Sequence, residues 1–348
     1  MKAFFSTHLL NFKNPSGTSR GVLTHKMAYY IIIEHDGVQG IGECGLLKGL
    51  SPDDVPEYTQ KLQWTCDHIT MTPSDLFAEL TEFPSIRFAL EQAYMDLASG
   101  GEKILFPSTW TRGEVGQRIN GLIWMGEPHF MRKQIENRLE EGFTCLKMKV
   151  GAVGIERELE ILQDLRREYD PMTLELRVDA NGSLDPFDAP DILNRLAELD
   201  IHSIEQPIAP GQWQEMARLC EESPTPIALD EELHGIYDEE EQRELLETIF
   251  PQHIILKPSI LGGIQSSQHW INMAEERGMG WWITSSLESN IGLNALAQWT
   301  YTLGNPIYHG LGTGSLYTNN IHSPLEVREG GIWHSVQQGW DLGLLTNR

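Results

Sequence analysis

The stretch EGFTCLKMKVGA, residues 141–152, carries the pattern on which the fold turns. At its centre Leu146, Met148 and Val150 alternate with Lys147 and Lys149, the period of a β-strand with one apolar and one cationic face. In a chain of 348 residues most strands are covered on both faces. Two lysines on one buried face therefore demand partners of opposite charge.

Outward from this strand, from about residue 118, the same rhythm of strand, loop and helix recurs. Candidate strands are INGLIWMG (119–126), CLKMKV (145–150), LELRVDA (174–180), HSIEQP (202–207), PIALDEE (226–232), HIILKPSI (253–260), WWITSSLES (281–289) and IYHGLGTG (307–314). Amphipathic helices such as GIERELEILQDLRREYD separate most of them. Eight strands alternating with helices over about 200 residues predict an α/β fold, a modified (β/α)8-type barrel. A doubly wound open sheet is disfavoured because no Gly-rich phosphate loop follows the first strand. Residues 1–102 read differently. Three strands form a meander with a turn at Asp36-Gly37, and two helices follow, the second with Gly100 as its cap, so this part is expected to be an α+β capping domain. The barrel is expected over 103–320, and a C-terminal segment, 321–348, is expected to pack back on the cap.

The charged residues of the barrel strands recur at one height. Lys149, Asp179, Glu205, Asp230 and Lys257 follow one another at intervals of 30, 26, 25 and 27 residues, each about one βα unit. Strand parity turns them all inward, and in such barrels the active site lies at the C-terminal ends of the strands. Three converging carboxylates repel one another unless a cation lies between them. All-oxygen ligands without His or Cys favour a hard divalent ion, Mg²⁺ or alternatively Mn²⁺, on Asp179, Glu205 and Asp230. With Lys147, Lys149 and Lys257 the site then carries about +1 to +2, inside a chain whose net charge is −24. A lysine beside another lysine and a metal is expected to have its pKa lowered toward neutrality, which suits a general base acting next to a carboxylate. Each position has a structural alternative: inward Lys–Glu layers also pack barrels, and Asp179 before ANGS also suits a turn or helix cap. Six such positions on five successive staves favour catalysis.

The order KMK, DANG, EQP, DE, KPS resembles the enolase superfamily, and within it the muconate-lactonizing group, whose lysines flank the substrate on strands two and six. That superfamily is this pattern's known use of Lys bases with Mg²⁺. The resemblance spans nearly the whole chain. It implies Asp179, Glu205 and Asp230 as metal ligands, Lys149 as base with Lys147 assisting, and Lys257 on the opposite face. It implies substrate contacts from Asn181 in DANG, from Gly262 and Gly263 in GGI, and from Ser285 and Ser286 in SSLESNIG. Cap loops at 14–22, with Arg20, and at 45–51 would close over the substrate. Each loop has a plain turn or cap as its alternative.

No His–Asp pair ends strands six and seven, and HGLGTGS replaces the Asp-x-Asp that holds an amine in dipeptide epimerases. The cap sequence GIGECGLLKGLS resembles the branch that removes water from a succinyl-bearing hydroxycyclohexadiene carboxylate in menaquinone synthesis. The substrate is then a small dicarboxylate. Racemisation of N-acylamino acids and muconate-type cycloisomerisation use the same lysines, and a non-catalytic binding barrel is the alternative from another class.

The acidic balance excludes nucleic acid and anionic membrane as partners. A homo-oligomer is compatible with the sequence. Cys44, Cys66, Cys145 and Cys220 lack metal or disulfide spacing and are expected to be reduced, buried thiols. The N-terminus is too polar for a signal peptide, and the longest apolar run, YYIII, is too short to span a bilayer, so the expected compartment is the cytoplasm.

Overall fold

The computed structural model describes residues 1–18, 21–151 and 154–346. Its first unit is an antiparallel meander of β1 (Lys2–Thr18), β2 (Gly21–His35) and β3 (Val38–Glu43), covered by α1 (Tyr58–Asp67), α2 (Pro73–Ala78) and α3 (Pro84–Ala98). The β2–β3 turn has Asp36 and Gly37 both at positive φ, 50° and 82°, as a tight hairpin requires. The apolar run YYIII is buried on both faces. Ile31 and Ile33 pack against Leu62, Ile86 and Ala89 of the cap helices. Tyr30 and Ile32 pack with Trp124, Leu287, Ile291 and Tyr317 from beyond the cap. The cap sheet is thus sandwiched between its own helices and the barrel. Contact between α3 and β3 is so close that a Cβ on Gly42 would lie 1.9 Å from the Ala89 carbonyl oxygen.

The second unit is a parallel barrel. After the short β4 (Gln117–Arg118) come β5 (Gly121–Ile123), β6 (Cys145–Lys149), β7 (Glu175–Asp179), β8 (Ser203–Glu205), β9 (Ile227–Leu229), β10 (His253–Leu256) and β11 (Gly280–Ile283). Strands β5 to β11 form one seven-stranded sheet in chain order. The eighth stave differs from expectation. Residues 307–314 make only two parallel bridges, His309 to Ile119 and Gly310 to Thr284, and then turn into a 3₁₀ segment. These bridges still close the barrel, with Ser285 N donating to Gly310 O at 2.9 Å and Asn120 N to His309 O at 3.0 Å. A Cβ on Gly310 would lie 2.2 Å from Thr284 Oγ1, so this approach needs a glycine.

Between the strands stand α4 (Pro128–Glu140), α5 (Ile155–Glu168), α6 (Ala189–Ala197), α7 (Trp213–Glu222), α8 (Glu239–Ile249), α9 (Pro258–Leu261), α10 (Ile264–Glu276) and α11 (Asn290–Thr302). Leu146, Met148, Leu176, Val178, Ile254 and Leu256 belong to the large apolar cluster they share with these helices. The lower interior is plugged by Ala228, Ile255 and Trp282, with the Arg177 guanidinium 4.4 Å over the Trp282 ring. Trp281 and Trp282 lie within β11.

The C-terminal segment divides. Strand β12 (Leu325–Arg328) pairs with β13 (Gly331–His334), which pairs with β4 beside the barrel, whereas Leu345 of α12 (Gly343–Thr346) packs in the cluster between cap and barrel. All four cysteines are buried and unpaired. No helix of the described residues is long and apolar enough to cross a membrane.

Candidate active site

Parallel register sets the charged residues side by side. Lys149 pairs with Asp179, and Asp179 with Glu205, across β6, β7 and β8. Asp230 and Lys257 directly follow β9 and β10. The three carboxylates therefore lie on the three staves between the two outer lysines. Lys147, one layer lower on β6, reaches up between two of them. Its Nζ lies 2.8 Å from Asp179 Oδ2 and also contacts Glu205 Oε2. Lys149 Nζ lies 2.6 Å from both Asp179 Oδ2 and Asn181 Oδ1. Lys257 Nζ pairs with Asp230 Oδ2, whose other oxygen lies 3.2 Å from His234 Nε2.

The turns after the strands hold this row in place. Asn181, at φ 45°, donates its backbone N–H to Asp179 Oδ1 at 3.0 Å, and its Nδ2 to Glu231 Oε1 at 3.0 Å. Gln206 ties β8 to β9. Its Oε1 accepts from Asp230 N and Glu232 N, both at 3.2 Å, and its Nε2 donates to Glu232 Oε2 at 2.9 Å. The motifs DANG, EQP and DEE thus belong to one hydrogen-bonded rim.

Charge partners dominate the titration of the row. Burial opposes the ammonium of Lys147, but Asp179 and Glu205 outweigh it and hold its pKa above the ordinary lysine value. Lys257 is raised in the same way, burial being overcome by Asp230. For these two the facing carboxylates outweigh both burial and the neighbouring lysines. Asp179 is held below the usual carboxylate range, because Lys147 and Lys149 overcome its burial. Asp230 is held well below it, with Lys257 overcoming burial. Glu205 is pushed well above, by burial first and then by Asp179.

Among the described residues no three His, Cys, Asp or Glu side chains are already gathered as a ligand cluster. Lys147 stands between Asp179 and Glu205, while Lys149 and Lys257 each pair with one carboxylate from the outside. The residues nonetheless fit a hard cation. The donors are carboxylate oxygens, the row is buried, and Glu205 Oε1 is buried with no hydrogen-bond partner.

A cavity of about 300 Å³ opens over the row and is lined by Lys147, Lys149, Asn181, Glu205 and Lys257. Ser285 and Ser286 line its wall, as do Leu47, Lys48, Gly49 and Leu50 of the cap and Gly21 and Val22 at the start of β2. Gly262 and Gly263 do not line it. They lie toward Arg87 and Glu91 of α3, and Glu91 accepts the N–H groups of Ile264 and Gln265. Arg20 lies outside the described residues. Residues the sequence left without a role also appear here: Glu231 and His234 against the row, and Leu122, Trp124, Thr284 and Thr313 in the cavity wall. The acidic run DEE was a legible signal for Glu231. His234 had none, since its place depends on the turn after Asp230.

The enolase C-terminal domain-like family matches residues 130–343. The chain belongs to this family. Among its enolase-superfamily relatives, the o-succinylbenzoate synthase of Desulfotalea psychrophila is 46% identical, over 93% of this chain and 96% of the relative. The N-succinylamino acid racemase of Thermus thermophilus is 28% identical over 79% of this chain and 75% of its own length. The crystal structure of MenC from Desulfotalea psychrophila superposes with a TM-score of 0.85 at 42% identity, covering 96% of this chain and 99% of that one. The superfamily fold, a cap on a parallel-stranded barrel domain, is therefore shared over nearly the full length.

Proposed function

We propose that the protein is an o-succinylbenzoate synthase, a lyase of menaquinone synthesis. It would eliminate water from 2-succinyl-6-hydroxy-2,4-cyclohexadiene-1-carboxylate in the cytoplasm. The observation that carries this is the full-length 46% identity to a relative of that name, on a chain whose cavity presents Lys149 and Lys257 on either side of Asp179, Glu205 and Asp230.

In this reading Lys149, as the free amine, takes the proton from the ring carbon bearing the carboxylate. The electrons of that C–H bond pass toward the carboxylate. The resulting Lys149 ammonium then returns a proton to the departing hydroxyl on the same ring face, water leaves, and the ring becomes aromatic. Lys149 ends as it began, so the step balances with no redox partner. Lys257 places positive charge on the far side of the ring, and Lys147 holds Asp179 and Glu205 apart. Asn181, bonded to Lys149 and Glu231, orients the base. Asp179, Glu205 and Asp230 would hold Mg²⁺, with Mn²⁺ as a substitute. When bound, the cation supplies Lewis-acid stabilisation to the carboxylate oxygen that gains charge. Ser285, Ser286 and the cap loop at 45–51 would enclose the succinyl arm, and a dianionic substrate would match the net positive charge of the site with its cation bound.

The test is a ¹H NMR time course of the protein with Mg²⁺ and the hydroxycyclohexadiene substrate in D₂O. Aromatic product from the wild type, lost in Lys149→Ala, supports the assignment. A folded protein yielding no aromatic signal sinks it. N-succinylamino acid racemisation is the second reading, favoured by two lysines in one cavity and by the Thermus thermophilus relative. Exchange of the α-proton of an N-succinylamino acid for deuterium, lost in either lysine variant, would mark it.

A further inference from the structure

The wall of the cavity at 285–287 is built around a left-handed residue. Leu287 has φ 60°, a conformation costly for a branched, non-glycine side chain. Such a residue persists only where its surroundings over-determine it. Here two donors from outside the cavity grip its carbonyl. Lys26 Nζ, buried on β2 of the cap, donates to Leu287 O at 2.8 Å and to Ser286 O at 3.0 Å. The buried Tyr317 hydroxyl donates to Leu287 O at 2.7 Å. Tyr317 is itself joined to the cap, by a bridge to Phe12 on β1 and an edge-on ring contact with centroids 4.8 Å apart. Just beyond, Glu43 of β3 accepts from Ser289 N at 2.8 Å, Ser289 Oγ at 2.6 Å and Gly292 N at 2.9 Å. The clamp therefore joins one donor of the cap, Lys26, to one residue beyond it, Tyr317, that packs on cap strand β1.

We propose that Lys26 and Tyr317 are positioning residues that hold Leu287 left-handed, so that cap docking sets the cavity wall against which the substrate's succinyl arm lies. Neither residue lines the cavity, so neither touches substrate. The wall residues Ser285, Ser286 and Leu287 do line it. This role rests on the substrate assigned above, but the clamp itself can be measured without substrate.

The experiment uses the full chain with Tyr317→Phe, which keeps the ring and removes one hydroxyl. Lys26→Met and Lys26→Arg form a second pair, since the methionine variant removes the cation that faces Glu43 and Glu288. Hydrogen–deuterium exchange of the peptide covering 285–289 is followed in the substrate-free protein, and KM and kcat are measured with the hydroxycyclohexadiene substrate. Tyr317→Phe is expected to speed exchange in that peptide while the other barrel strands keep their protection. It should raise KM about fivefold, the order of one lost hydrogen bond, with kcat within about twofold. Lys26→Met should shift both further, with partial recovery in Lys26→Arg. Unchanged exchange in Tyr317→Phe, or a fall in kcat at constant KM, overturns the proposal. If the wild type turns over no substrate while the exchange pattern holds, the substrate assignment fails and the clamp stands.

Discussion

Lys149 and Asp179 face each other in register on adjacent parallel strands, with Nζ 2.6 Å from Oδ2. One residue is the proposed base and the other a proposed cation ligand, so binding at the site must rearrange this pair. Lys149→Ala is expected to lower kcat by at least two to four orders of magnitude, the usual contribution of a positioned general base. Its circular dichroism should match the wild type, since Lys149 lies at a strand end. Turnover within tenfold of wild type would remove Lys149 from the mechanism.

Cation binding should stabilise the folded chain. A ligand that binds only the native state at about a hundred times its Kd contributes about 2.7 kcal/mol. Thermal melting in millimolar Mg²⁺ should therefore lie several degrees above melting in EDTA. Asp230→Asn should abolish the shift, because it removes an anionic ligand. An equal shift in that variant would argue for a different cation site.

The row of carboxylates predicts an asymmetric response to charge removal. Lys147 contacts both Asp179 and Glu205 within the buried interior. Lys147→Met leaves two buried carboxylates facing each other, a change expected to cost about 3–5 kcal/mol in the absence of a divalent cation. Added Mg²⁺ should restore part of that loss. Urea unfolding with and without Mg²⁺ would show it, and no Mg²⁺ rescue would count against the shared site.

A buried histidine, His309, and a half-buried one, His253, make stability pH-dependent. Burial pushes His253 and His309 down to about 4, and His309 Nδ1 also accepts the Ile283 N–H at 3.1 Å. Below the unfolded value near 6.5 the unfolded chain binds protons that the folded chain refuses. Their contribution is therefore complete above about pH 6.5 and is lost as pH falls toward about 4. Glu91, pushed by burial up to about 7, acts in the opposite sense. The check is thus a difference: the unfolding free energy of His309→Gln should fall less than that of the wild type between pH 7 and pH 5. Parallel curves would refute the assignment.

Tight packing of cap strand on cap helix predicts a local lesion. Gly42→Ala would place its Cβ 1.9 Å from the Ala89 carbonyl oxygen, forcing β3 and α3 apart. A loss of about 1–3 kcal/mol is expected, the usual cost of overpacking, read as a lowered urea midpoint. A wild-type midpoint would show that the two elements part freely.

Alternation of Lys147 and Lys149 with Leu146, Met148 and Val150, and the regular return of Asp179, Glu205, Asp230 and Lys257, were enough to predict the barrel and its inward row. Those features are local: strand period sets the face, and one βα unit sets the spacing. What the chain's one-dimensional pattern could not decide was which neighbour each charge meets. The elevated pKa of Lys147 and Lys257 follows from carboxylates on neighbouring staves, and parallel strand pairing brings these within contact. The placement of Gly262 and Gly263 against α3 of the cap, rather than in the cavity wall, was settled by how two units dock. His234 beside Asp230 depends on a local turn, and Tyr317 and Lys26 on the Leu287 carbonyl depend on contacts 30 and 261 residues apart in sequence. Periodicity reports which face a side chain occupies; distance and partner are properties of the packed whole.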